Sequence, residues 1–593
     1  MHRKRILFNK DRCLGCRSCE LACAIQHSES GTLFGAIKEA PLPVYRLKVS
    51  GSSGHPIPLA CQQCPEPLCS FACKAGGITR DPLTGEVVSD QKKCVSCWMC
   101  VMACPYGVIR MEDERGAAKC DLCGDLDIPA CITSCPTDAL FLDESEDVET
   151  PPEIAKKKTR APGVYCIIGA SAAGISAAEA IRGVDDQSKI ILISEEKDAL
   201  YARPMIYYYL TGKLEDEKQS YYRPETFFEE KKIRFLSGVK VEALDAKEKT
   251  IRLDNGETIK WDALLLATGA SPKMPDIKGI DLPGVQPFRT LADLRRIKEK
   301  AKNIKRAVVL GGGNVGLQVA AGLQKMGVRA TIVVRSPFLL SQLADQKTGE
   351  IYRALFESQG IQVKTGCDVE EIIGDTKVEQ VRYSDGIIEP RDLVIVGKGV
   401  SPRKELADQA GIACRYGVVV NEKQETSRPG IFAAGDVAET EDVVEQESSV
   451  HAIWPCATQQ GRVAGMNMAG ADMAYEGSLT MNATDFYGLP MISAGIVRPP
   501  DEGYTVLTRE DREKTHYRKL VLRDNVPVGM IFVGRVENAG MIIHLIRKKV
   551  DCEKIKDQLL DVNLDISAFA SLVTTEGEKL IDDEQLRELF QHV

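Results

Sequence analysis

From Val164 onward the chain alternates short apolar runs, Gly-rich turns and Ala-rich stretches of helical period. Val164-Tyr-Cys-Ile-Ile-Gly is apolar up to its closing glycine, and Ala172-Ala-Gly-Ile-Ser-Ala-Ala-Glu-Ala-Ile follows it. Such a pattern reads as a buried strand, a tight turn and a helix. Lys189-Ile-Ile-Leu-Ile-Ser supplies the next strand. The same order recurs at Ala307, and Ala330-Thr-Ile-Val-Val adds its second strand. Strands that alternate with helices in this way predict parallel βαβ sheets. The flanking regions differ: residues 1–145 hold only short turns and segments, and residues 471–593 read as mixed α+β. Between Glu144 and Gly163 the chain is charged and proline-containing, which predicts a linker over 146–162.

A length of 593 residues allows about four domains, and 44% hydrophobic with 27% charged residues excludes a disordered or fibrous chain. The net charge of −9 gives no footprint for nucleic acid or an anionic membrane surface. No run is long and apolar enough to span a bilayer, and the first residues turn polar before a signal peptide could form. A cytoplasmic chain is therefore expected. Among 21 cysteines, all but Cys166, Cys367, Cys414, Cys456 and Cys552 fall between Cys13 and Cys135. Without an export signal, metal ligation explains that density better than disulfides do.

The dense region is four quartets. They are Cys13-x2-Cys16-x2-Cys19-x3-Cys23, Cys61-x2-Cys64-x4-Cys69-x3-Cys73, Cys94-x2-Cys97-x2-Cys100-x3-Cys104-Pro and Cys120-x2-Cys123-x7-Cys131-x3-Cys135-Pro. Three close cysteines wrap a loop around an iron–sulfur cubane, while the fourth, on a short helix, reaches a neighbouring cluster. Zinc ribbons would use paired Cys-x2-Cys units and leave the third cysteine of a Cys-x2-Cys-x2-Cys run redundant. Four [4Fe–4S] clusters are the expectation.

The two βαβ starts carry nucleotide fingerprints. The first has Gly169 and Gly174 at the outer positions, Ser171 in place of the middle glycine and Ala173 beside them; its second strand ends at Glu195, which can bind a ribose hydroxyl. In the second, Gly311, Gly313 and Gly316 stand at full G-x-G-x-x-G spacing, with Asn314 at the helix start. Its next strand ends at Arg335 without a carboxylate, which suits a 2′-phosphate, although a merely solvated arginine leaves NADH open.

Residues 1–145 resemble the four-cluster ferredoxin subunits of dimethyl sulfoxide reductase, formate hydrogenlyase and carbon monoxide dehydrogenase. That resemblance implies crossed ligand sets: Cys13, Cys16, Cys19 with Cys135; Cys120, Cys123, Cys131 with Cys23; Cys61, Cys64, Cys69 with Cys104; and Cys94, Cys97, Cys100 with Cys73. The remainder resembles the two-dinucleotide flavoprotein reductases, with NADH:rubredoxin reductase and the flavin part of nitrite reductase nearest. The matching segments are Tyr201-Ala-Arg-Pro, Leu266-Ala-Thr-Gly-Ala, Leu393-Val-Ile-Val-Gly-Lys-Gly-Val-Ser-Pro, Gly430-Ile-Phe-Ala-Ala-Gly-Asp and the stretch from His451. This implies FAD contacts from Arg203, Ala267, Thr268, Gly269, Asp436 and Val437, and a nicotinamide-domain contact from Gly399.

The implied fold is multidomain: an α+β ferredoxin-like region at 1–145, then an α/β Rossmann-type flavoprotein. Its FAD-binding parts would be 163–300 and 416–470, its NAD(P)-binding domain 301–415, and a small α+β interface domain 471–593 would follow. The segment after Tyr201 lacks the redox cysteine of disulfide reductases, so flavin electrons must leave by another route. Gln318 stands where many relatives have Glu beside the nicotinamide, and Cys456 reads as a buried inert thiol. No catalytic side chain is expected, because FAD performs the chemistry. The expected function is exchange of hydride between NAD(P)(H) and FAD, and of single electrons between FAD and the four clusters. The partner would be a low-potential metalloenzyme of the carbon monoxide dehydrogenase or tungsten/molybdenum aldehyde oxidoreductase type. A free-standing ferredoxin or rubredoxin reductase is the alternative, a redox sensor a third, and the last domain could form a homodimer.

Overall fold

The computed structural model describes residues 4–9, 11–51, 56–81, 83–112, 116–143, 163–562 and 564. The linker expected at 146–162 lies outside them. The chain divides into two compact units, Ile154–Thr480 and Met1–Glu153 joined by Met481–Val593.

Unit Ile154–Thr480 is built on two five-stranded parallel sheets. In the first, Val164–Ile168 is central, flanked by Lys189–Ser194 and Ile233–Ser237 on one side and by Ala263–Leu266 and Ile431–Ala433 on the other. In the second, Arg306–Leu310 is central, with Arg329–Val334 and Gln362–Thr365 on one side and Leu393–Val396 and Val285–Pro287 on the other. The inner strands Val164–Ile168, Ala263–Leu266, Arg306–Leu310 and Leu393–Val396 are buried on both faces, which is why they read as continuous apolar runs rather than alternating ones. Each sheet carries an antiparallel three-stranded meander, Val241–Lys260 and Val369–Pro390. Trp261, Ile251 and Leu253 close the core against the first sheet, and Val381 and Tyr383 close it against the second.

Helix Ala172–Val184 lies against helix Trp454–Met468 at backbone distance. A Cβ on Gly461 would stand 2.1 Å from the Ala173 carbonyl oxygen, and one on Gly465 would stand 2.4 Å from that of Ala177. Small residues on both helices thus hold together two segments that lie far apart in the sequence.

In the other unit, strand Arg5–Phe8 pairs antiparallel with Leu140–Asp143, so the flanks of the first and fourth quartets are neighbours. Three further hairpins separate the quartets: Lys48–Ser50 with Ile57–Leu59, Ile78–Arg80 with Val87–Ser89, and Arg110–Glu112 with Gly116–Ala118. Helices Ser18–Gln26, Leu68–Ala72, Met99–Ala103 and Ala130–Thr133 each carry the third cysteine of a quartet. The C-terminal part is a five-stranded antiparallel sheet spanning Met481–Val533, followed by helix Ala539–Lys548. It packs on the cysteine region: the Trp98 indole N–H donates to Asp485 Oδ2 at 2.9 Å.

Candidate functional site

Gly169 adopts φ +117°, and a Cβ on it would lie 2.0 Å from the Ala267 carbonyl oxygen; one on Gly174 would lie 1.8 Å from that of Gly169. Only glycine permits this strand–turn–helix crossing. Ser171 precedes helix Ala172–Val184 without a side-chain cap bond, leaving the first-turn N–H groups for an anion. Glu195, half exposed past its strand, accepts a hydrogen bond from Arg403 at 2.9 Å. The Arg403 carbonyl accepts from Thr268 Oγ1 at 2.7 Å, and its N–H donates to the Gly269 carbonyl at 2.9 Å. Three expected residues therefore gather on Arg403, which sequence reasoning did not single out.

Arg203 pairs with Glu196 and donates to the Tyr201 hydroxyl and the Arg289 carbonyl. Burial works against its charge, but Tyr201 and Glu196 outweigh burial and raise its pKa. Asp436 is held by Arg289 at 2.8 Å, and Val437 beside it is fully buried. Arg289 was also missed. Helix Trp454–Met468 begins three residues after His451, whose Nε2 meets Asp442 Oδ2 at 2.7 Å. Trp454 and Tyr222 pack edge to face at 4.9 Å between ring centres. Their indole nitrogen and hydroxyl are buried with no hydrogen-bond partner among the described residues. Buried polar atoms left open in this way fit a polar cofactor, such as the flavin the fingerprint implies. Cys456 is wholly buried on the same helix, and the segment Tyr201–Leu210 holds no cysteine.

In the second fingerprint, Gly311 has φ +119° and its Cβ would meet the Gly397 carbonyl oxygen at 2.3 Å, while that of Gly316 would meet Gly311 at 1.9 Å. A Cβ on Gly313 would meet nothing within 4 Å. The protein itself thus does not require glycine there, and the open space suits the close approach of a pyrophosphate. Asn314 Oδ1 is likewise buried without a partner. Gly399, at φ +90°, also faces open space. Arg335 is exposed just past strand Arg329–Val334, and Gln318 is half-buried on helix Asn314–Lys325.

The cysteines gather across quartets. Burial, then Cys135 and Cys16, raise the pKa of Cys13. Burial, then Cys23, Cys123 and Cys19, push Cys131 up to about 12. Burial raises Cys104, with Cys61 adding to it, and pushes Cys73 up to about 11, with Cys97 adding to it. Each of these neighbourhoods joins a fourth cysteine to members of a different quartet. Further neighbours link the sets: Cys19 lies near Cys131, Cys61 near Cys120, and Cys69 near Cys100. Cys13, Cys16, Cys19 and Cys135 line one cleft of about 310 Å³, mouth included. Cys16 is the only one of the cysteines that is exposed.

All four loops share a backbone feature. The residue before the second cysteine is left-handed in each: Gly15 at φ +66°, Gln63 at +49°, Ser96 at +54° and Leu122 at +58°. Non-glycine residues take that conformation at a cost, so its recurrence marks loops shaped around something. Backbone N–H groups also point at sulfur, from Arg46 to Cys23 Sγ and from Ala139 to Cys135 Sγ, both at 3.2 Å. Thiolate sets with N–H donors fit iron–sulfur clusters.

Residues 164–461 match the model of the pyridine nucleotide-disulphide oxidoreductases. The chain belongs to that family. Residues 54–145 match a 4Fe-4S dicluster domain, and residues 481–550 match the rubredoxin NAD+ reductase C-terminal domain. The epsilon subunit of the NADH-dependent phenylglyoxylate dehydrogenase of Aromatoleum evansii is 31% identical over 67% of this chain and 94% of its own length. An NADH oxidase of Methanocaldococcus jannaschii is 34% identical over 56% of this chain and 78% of its own. Among solved structures, a ferredoxin reductase from Rhodopseudomonas palustris superposes with a TM-score of 0.62 at 27% identity, covering 69% of this chain and 99% of that one.

This oxidoreductase is an NAD(P)H-dependent flavoenzyme that carries an iron–sulfur domain and is related to ferredoxin reductases and NADH oxidases. Among the described residues no helix is long and apolar enough to cross a membrane.

Proposed function

We propose that the chain is the electron-transfer subunit that links NAD(P)(H), through FAD, to a wire of four [4Fe–4S] clusters and a low-potential partner enzyme. FAD, when bound, joins a two-electron carrier to one-electron clusters. Gly169, Ser171, Ala173, Gly174, Glu195, Arg203, Ala267, Thr268, Gly269, Asp436 and Val437 would hold it. Gly311, Gly313, Asn314, Gly316, Arg335 and Gly399 would hold the nucleotide.

The observation that carries the reading is the gathering of cysteines from different quartets. The neighbours support sets of Cys13, Cys16, Cys19, Cys135; Cys120, Cys123, Cys131, Cys23; Cys61, Cys64, Cys69, Cys104; and Cys94, Cys97, Cys100, Cys73. The links Cys19–Cys131, Cys120–Cys61 and Cys69–Cys100 support a linear order in which the first of these sets is terminal. Its exposed Cys16 suits electron exchange with a partner.

The relative named as an epsilon subunit supports a fixed place in a larger complex. Carbon monoxide dehydrogenase and tungsten or molybdenum aldehyde oxidoreductases remain the partner types proposed, in the cytoplasm. The second reading is a free-standing NAD(P)H:ferredoxin or rubredoxin reductase, which the C-terminal domain match favours. Co-purification with another polypeptide separates the two.

Serine substitutions followed by EPR test the crossed sets. Cys104→Ser and Cys61→Ser should alter the same cluster signal, and Cys97→Ser a different one. If Cys104→Ser and Cys97→Ser alter the same signal, the crossed reading fails.

A further inference from the structure

We infer that Lys119 is a buried charge that raises the reduction potential of the two cluster sets it lies between, at the middle step of the wire. The inference rests on the cluster reading above. Lys119 is only 1% exposed. Its Nζ donates to the Val87 carbonyl and to the Cys120 carbonyl at 2.9 Å, and the Cys61 sulfur lies within its electrostatic reach. Two carbonyl acceptors and neighbouring cysteine sulfur, with no donor aimed at its nitrogen in these bonds, suit an ammonium, which only donates.

Cys61 belongs to one proposed set and Cys120 to the next, and Cys69 also lies within electrostatic reach of the lysine. A buried cation is costly unless opposite charge compensates it. Here the compensation comes from ligand sulfur on both sides. Cluster reduction adds one negative charge, so a fixed positive charge in a low-dielectric interior favours the reduced form. Arg80 is a second cation nearby, but it reaches only Cys64 and Cys69 and bonds the Cys64 and Pro65 carbonyls, so it biases one set alone. Lys119 biases two, and would keep the central step from becoming the highest barrier along the wire.

The test is an EPR-monitored redox titration of anaerobically purified full-length protein. Lys119→Met removes charge and donors, Lys119→Gln keeps donors without charge, and Lys119→Arg keeps charge. In both neutral variants the reduction equilibrium of two cluster signals should fall at least tenfold, which is about 59 mV for a one-electron couple. Lys119→Arg should restore them. Neutral variants with full iron content and unmoved potentials would overturn the inference. So would loss of iron in Lys119→Gln, which would make the lysine structural. Wild-type iron analysis keeps the two readings apart: far fewer than about 16 iron atoms per chain defeats the four-cluster reading itself.

Discussion

Gly540 faces Cys104 so closely that a Cβ on it would stand 2.1 Å from the Cys104 carbonyl oxygen and 2.7 Å from that of Val101. The first turn of helix Ala539–Lys548 therefore sits directly on the segment that carries Cys100 and Cys104. Gly107 opposes Met541 with similar tightness, since its Cβ would lie 2.7 Å from the Met541 sulfur. The C-terminal domain is thus a seat for the cysteine region, held further by Trp98–Asp485 and by Lys48 Nζ on the Leu564 carbonyl.

Gly540→Ala should cost about 1–3 kcal/mol, because the added methyl can be accommodated only by moving backbone. Anaerobic thermal melting of the holoprotein should show the loss as a lowered Tm. An unchanged Tm would mean that the packing seen here is not formed in solution.

The second fingerprint separates folding from binding. Gly311→Ala forces a left-handed alanine against Gly397 and should lower stability, whereas Gly313→Ala should leave it within about 0.5 kcal/mol. Gly313→Ala should still weaken NAD(P)H at least tenfold, about 1.4 kcal/mol. Calorimetric binding set beside thermal melts reads both quantities.

Arg289 holds Asp436, and Arg289→Met strips that half-buried carboxylate of its charged donor. Loss of such a bond costs about 1–3 kcal/mol. FAD retention through gel filtration should fall while the nucleotide domain still folds; full retention would remove Arg289 from the flavin side.

Arg335 is exposed where an arginine can meet a 2′-phosphate. Arg335→Ser should raise the KM for NADPH about tenfold and leave that for NADH unchanged. Equal effects on both coenzymes would show that the side chain is only solvated.

The quartets were legible because cysteine recurs at fixed short spacing, and the fingerprints because glycine alone fits the Gly169 and Gly311 turns. The apolar runs at Val164 and Arg306 became central parallel strands for the same reason: burial on both faces removes polar alternation. What the sequence hid depends on distant pairing. Arg403 meets Glu195 across 208 residues, and Trp98 meets Asp485 across 387. No local pattern records such partners. Lys119 had a faint signal, a lone charge after Gly116-Ala-Ala and directly before Cys120, but only the fold shows that it is buried between thiols. The left-handed Gln63, Ser96 and Leu122 carry no residue signature, since loop closure around the cysteines dictates their backbone.

In the proposed function, nucleotide, flavin and clusters form one electron path. An anaerobic titration with NADH, and separately with NADPH, should follow flavin bleaching together with the cluster EPR signals. One coenzyme should reduce flavin and clusters in the same titration. Flavin that bleaches fully while every cluster stays oxidised, even with excess coenzyme and a low-potential mediator present, would contradict it.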